Sequence, residues 1–156
     1  MEYVVTGLPL KDFAPLFALD DAALAARGIE RKTVDAEPGY PCRITLRDAP
    51  RGASVLLLHH VSHDVETPYR SAYAIYVNEA AAETRRCVNA LPEAFQGRPL
   101  AFRTFNADGA LVGARLSLAD DTHNREIDAA FATPGAAYIH AHNAAHGCFA
   151  ARIDRA

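Results

Sequence analysis

The chain has 156 residues, half of them hydrophobic and 22% charged, a composition that excludes a disordered polymer and gives enough length to bury a core. The formal net charge is −3, which gives no support to nucleic acid or a membrane surface as a partner. Three cysteines, at positions 42, 87 and 148, are odd in number and widely spaced, so they argue against a disulfide framework and for a reducing, cytoplasmic setting.

The opening "MEYVVTGLPL" lacks a basic start, a long apolar core and a cleavage pattern, so no secretory signal is read there. It reads as a first strand stopped by Gly7 and Pro9. "FAPLFALDDAALAARG" holds a helix, with Asp20 or Asp21 as its cap, Leu24 facing inward and Gly28 at the left-handed C-terminal position. "IERKTVDA" is read as a strand. "PGYPCRITLRDA" is read as another, with Cys42, Ile44 and Leu46 on one face and Arg43, Thr45 and Arg47 on the other. "SVLLLHHV" is the most apolar strand and is placed centrally; its "VLLL" is far too short to cross a bilayer. "AYAIYVNE" is its expected neighbour, reached through the polar segment "SHDVETPYRS".

"AAAETRRCVNALPEAFQG" is ambiguous, since it begins with helical composition but is interrupted by Asn89 and Pro92. "LAFRTFNADGALVGARLSL" predicts a hairpin around "NADG", with Gly109 at a positive-φ turn position. "DDTHNREIDAAFATPG" predicts a helix carrying Ile127 and Phe131 four residues apart and ending at Pro134-Gly135. Tyr138 to Arg152 makes a final hairpin. No repeat, linker or low-complexity tract divides the chain, so residues 1–156 are expected to form one domain. Many strands with two or three short helices between them define an α+β class with a mostly antiparallel sheet.

The final hairpin concentrates the residues that carry chemistry. Setting Ile139 and Ala141 on the same face as Phe149, Ala151 and Ile153 requires an odd-length connection, and Asn143–Gly147 satisfies it. His142 then lies opposite Cys148, His140 opposite Ala150 and Tyr138 opposite Arg152. The second face would carry Tyr138, His140, His142, Cys148 and Arg152, half-covered and wet. Three uses of that face compete. His140 and His142, two residues apart on a strand, could ligate a metal if a third ligand joined them from His146, His59 or His63. Cys148 could act as a nucleophile activated by His142, although no orienting third group is evident. The plainest reading is a polar sheet face in which the histidines hydrogen-bond to neighbours and Cys148 packs as a small hydrophobe.

A second cluster lies in "HHVSHDVETPYRS". His59 and His60 are adjacent on a strand and face opposite ways, while His63 and Asp64 fall in the polar connection where functional side chains tend to sit. Pro68 fixes the direction of Tyr69 and Arg70, and Pro41 does the same for Arg43. Arg43, Arg70 and Arg152, with Tyr69 and Tyr138, therefore form a candidate site for a small anionic ligand held by bidentate arginine. The same arginines could instead pair with the chain's own carboxylates. No phosphate loop, serine elbow, zinc-finger spacing or dinucleotide fingerprint is present, and no cofactor is indicated.

The blocks "GLPLKDFAPLFALDDAALAARG", "PGYPCRITLRDA", "VLLLHHV", "TPYRSAYAIYV", "NADGALVGARL" and "YIHAHNAAHGCFAARI" resemble, in order from Thr6 to Arg155, a bacterial family catalogued as domain of unknown function 1203. The final block and the "PCR" and "PYR" blocks are the most specific; the departure lies around "AAAETRRCVN". The resemblance implies a small single-domain bacterial protein and no activity, and it transfers no catalytic residue. The functional expectation is a module binding a small anion. The alternatives are a metal-dependent or thiol enzyme using the final hairpin, and a structural or interaction protein, such as a homodimer pairing sheet edges.

Overall fold

The computed structural model describes residues 1–156. Nine strands and three helices follow one another as β1 (Tyr3–Thr6), α1 (Leu10–Phe17), α2 (Asp21–Ala25), β2 (Glu30–Thr33), β3 (Ser54–His63), β4 (Ser71–Asn78), β5 (Arg86–Val88), β6 (Leu100–Phe105), β7 (Leu111–Ser117), α3 (Asp120–Phe131), β8 (Tyr138–Asn143) and β9 (Phe149–Arg155). A six-stranded sheet runs β5-β1-β9-β8-β6-β7, and a three-stranded sheet runs β2-β3-β4 with the apolar β3 in the middle. Every strand pair within both sheets is antiparallel. The protein is an α+β fold, as the element pattern predicts. No helix is long and apolar enough to cross a membrane.

Two main cores hold these sheets, beside a small third cluster of Val34, Ala49 and Val55. In the larger, Ile127, Ala130 and Phe131 of α3 pack on one face of the six-stranded sheet, against Val5, Leu100, Phe102, Ile139 and Ile153. Leu24 and Phe13 from the two N-terminal helices meet Leu56, Leu58, Ile75 and Val77 of the three-stranded sheet in the second. Asp20 caps α2 by accepting the Ala23 N–H at 2.8 Å, and its extended backbone separates α2 from α1. The single helix expected over this stretch is thus two. Gly109 (φ +82°) makes the turn of the β6–β7 hairpin.

Two expectations need correction. Residues 41–48 do not form a strand; they make isolated bridges, Pro41 to Asp48 and Cys42 to Tyr76, around a tight turn. Leu46 there has φ +52°, which breaks the strict two-residue alternation of an extended chain. The buried residues do alternate, but for another reason: Cys42 and Ile44 belong to one core and Leu46 to the other. Arg43, expected on the outer face, is only 3% exposed. The ambiguous segment from Ala80 resolves into β5 and a short 3-10 turn over Glu93–Phe95, with no α-helix.

Candidate functional site

The final hairpin forms, but its register differs from the expected one. Ile139 lies opposite Ile153, His140 opposite Arg152 and Tyr138 opposite Asp154. An irregularity between Ala141 and His142 then places His142 opposite Phe149. Ala150 is the extra residue of a bulge, which turns the side chain before it to the other face. Phe149 consequently packs against the rings of His140 (5.1 Å between centroids) and His142 (5.9 Å) rather than beside Ile139. Cys148 drops out of the ladder into the turn.

The face holding the histidines is not wet. His63 of β3 lies edge-on to His140 at 5.0 Å, and Tyr73 of β4 edge-on to His142 at 5.1 Å. With Phe105 also against His140, they leave His140 2% and His142 1% exposed. Burial, reinforced by the neighbouring His63 and His142, pushes the His140 imidazole down to about 3. Burial pushes His142 down to about 4, against the opposing bond from its Nδ1 to the Gly147 carbonyl (2.9 Å). Both rings are neutral at pH 7. When His63 Nδ1 donates to the Tyr69 carbonyl (2.9 Å), its Nε2 accepts from the Tyr138 hydroxyl (2.7 Å). No three His, Cys, Asp or Glu side chains converge as metal ligands. This polar layer is an internal seam between the sheets.

A cleft of about 600 Å³ opens beside the seam, with Arg43, Tyr73, Tyr76, Arg98, Asn143 and Cys148 among its walls. Arg43 crosses its floor. Its Nε donates to the Phe149 carbonyl (2.8 Å), Nη1 to the Pro41 carbonyl, and Nη2 to Cys148 Sγ (3.2 Å). Asn143 Nδ2 donates to the same sulfur at 3.1 Å. Burial, opposed by the Cys148 sulfur, pulls the Arg43 guanidinium below its ordinary value, yet an arginine remains a cation at any physiological pH. Arg98 enters from the other wall and holds Asp48 through two bonds of 2.8 and 2.7 Å. Burial would raise the Asp48 carboxyl, but Arg98 and the Gly39 N–H outweigh it and keep it below its usual range.

Of the other sequence candidates, Arg70 pairs with Asp64 at 2.9 Å on the surface, and Tyr69 is exposed. Arg152 pairs with Asp154 at 2.8 Å and lies 3.9 Å over the Tyr138 ring. Arg70, Arg152, Tyr69 and Tyr138 are not among the residues lining the cleft. The structure thus brings Arg43 and Cys148 together, 105 residues apart in sequence, and separates His142 from Cys148. Arg98, Asn143, Tyr73 and Tyr76 are cleft residues that sequence reasoning did not put forward. Asn143 carried one signal, its place at the end of the hairpin's first strand; Arg98 carried none.

The family model described as protein of unknown function (DUF1203) matches residues 39–155, and the chain belongs to that family. No curated protein and no solved structure matches the chain. The matched segment contains every wall of the cleft just described.

Proposed function

We propose that the cleft binds a small anionic molecule, with Arg43 as its anchor. The observation carrying this reading is one of charge. Two guanidiniums line the cleft, and no Asp or Glu does, in a chain whose overall charge is negative. Arg98 is already neutralised by Asp48, whereas Arg43 meets only two carbonyls and a sulfur. A buried cation without an opposite charge is expensive to hold. A carboxylate or phosphate-type group entering the cleft would relieve that cost, and Tyr73 and Tyr76 offer its apolar remainder two aromatic surfaces. Arg70 and Arg152, each on its own aspartate, stand outside this reading.

Thermal unfolding in sulfate and phosphate, against chloride at matched ionic strength, tests it. A ligand present at ~100 times its dissociation constant stabilises by about 2.7 kcal/mol, or roughly 5 to 10 °C for a domain of this size. Ala145→Glu adds a carboxylate at an exposed position of the cleft wall and should abolish the difference while leaving the fold intact. Coincident melting curves in all three salts would refute the proposal.

A further inference from the structure

We propose that Cys148 is a peroxide-reactive thiol whose oxidised form, a sulfenic acid, is held in the cleft by Arg43 and Asn143. The inference shares the cleft with the anion-binding reading but does not rest on it. It starts from the contrast between the three free cysteines. Cys42 is 1% exposed within one core and Cys87 is 7% exposed within the other. The Cys42 sulfur already accepts the Asn78 and Thr45 N–H groups at 3.2 and 3.5 Å. Cys148 alone is half-buried at the wall of an open cleft.

The surroundings of its sulfur suit a nucleophile. Reactive cysteines sit in electropositive, partly exposed surroundings, and Arg43 Nη2 lies 3.2 Å from this sulfur. Arg43 is a fixed, buried cation with no carboxylate competing for it, so its field falls on the sulfur and on charge that develops there during reaction. Asn143, from the other end of the same turn, adds a second N–H. The hydrogen bonds to this sulfur come from Arg43 and Asn143, and none comes from His142.

The step balances with peroxide as the oxidant. The Cys148 thiolate attacks one peroxide oxygen, an S–O bond forms and the O–O bond breaks. The leaving hydroxide takes a proton and departs as water. Sulfur gives up two electrons and the peroxide accepts them. The new oxygen lies within reach of the N–H groups that faced the sulfur. Cys42 and Cys87 are each enclosed in a core, so neither serves as a resolving thiol. Reduction requires small external thiols. The first condenses with the sulfenic acid to a mixed disulfide and releases water; the second attacks the outer sulfur, freeing Cys148 and leaving as a small disulfide. The cleft is large enough to admit them.

The test treats the full chain with hydrogen peroxide at pH 7, in chloride buffer, and traps sulfenic acid with dimedone, with peptide mass spectrometry locating the adduct. The expected adduct is on Cys148. It should form ~tenfold or more faster in the folded chain than in urea-unfolded chain, and several-fold slower in Asn143→Ala and Arg43→Gln. Should Arg43→Gln fail to fold, Asn143→Ala and the folded-to-unfolded ratio still decide. Equal rates in folded and unfolded chain, an adduct on Cys42 or Cys87 instead, or an Asn143→Ala rate equal to the native one would overturn the proposal. A sulfate arm separates the two readings: if sulfate neither stabilises the protein nor slows a fast Cys148 reaction, anion binding fails and the thiol stands.

Discussion

Acidification from pH 7 to pH 5 should cost this protein much of its stability, through two buried histidines. His140 and His142 have folded values of about 3 and about 4, set first by burial, against ~6.5 for an imidazole in the unfolded chain. A depressed histidine is neutral in the fold and protonates on unfolding. The unfolded state therefore binds more protons, and stability falls as pH drops below about 6.5 until the folded rings themselves protonate near 4 and 3. Integrated between pH 7 and pH 5, each ring contributes close to 2 kcal/mol, or roughly 4 kcal/mol for the pair. That is a large part of the ~5 to 15 kcal/mol that holds a domain together. His60, lowered by burial, adds in the same direction. Asp48, Glu79 and Glu126 are held below their usual values, so the stability they supply is present above the unfolded carboxyl value and lost below it, leaving the pH 5–7 window to the histidines. Urea unfolding across that window measures the slope. His140→Phe, placed among Phe105, Tyr138 and Phe149, removes one titrating ring and should lower the slope by somewhat less than half. A native stability that is flat from pH 7 to 5, or an undiminished slope in the variant, would refute the reasoning.

Two further substitutions probe how the cleft is held. Gly7→Ala would put a Cβ 2.1 Å from the Ile44 carbonyl oxygen, backbone against backbone, in the segment that carries Arg43; unfolding in urea should show a loss above ~3 kcal/mol. Gly28→Ala meets no atom within 4 Å and is strained only by φ +70°, so it should lose about 1 kcal/mol, and equal losses at the two sites would contradict the steric account. Asp20→Ala removes the acceptor of the Ala23 N–H and should cost about 1 kcal/mol, read as a lower unfolding midpoint; substitution by Asn should restore it.

Much of the fold was legible because period-two burial operates wherever a strand carries a core face. The β6–β7 hairpin follows from it, while α3 follows from the four-residue spacing of Ile127 and Phe131 and the central place of β3 from its continuous apolar run. Legibility failed where alternation arose without a strand. Cys42, Ile44 and Leu46 are all buried, yet they turn into two different cores across a left-handed residue, and no composition signal distinguishes this from an extended segment. Nor does anything in "FAAR" mark Ala150 as the bulged residue. The cover over His140 and His142 was equally silent, because His63 and Tyr73 come from a different sheet. Arg43 could be named as a candidate from its proline-fixed neighbourhood, but its contact with Cys148 is a property of tertiary structure alone.

The bulge is also what makes the site. In an unbroken ladder Cys148 would face His142 across the strands, inside the imidazole layer and closed to small molecules. One extra residue, Ala150, moves Phe149 into that place, where its ring seals the seam against His140 and His142. The Phe149 carbonyl then accepts Arg43 Nε, fixing the guanidinium at 2.8 Å, and Cys148 is left at the turn with its sulfur under Nη2 and Asn143. The same displacement that takes the thiol away from histidine therefore delivers it to arginine, at the wall of the cleft. The reactivity proposed for this thiol is consequently tied to Arg43, and it should follow changes at Arg43 and Asn143.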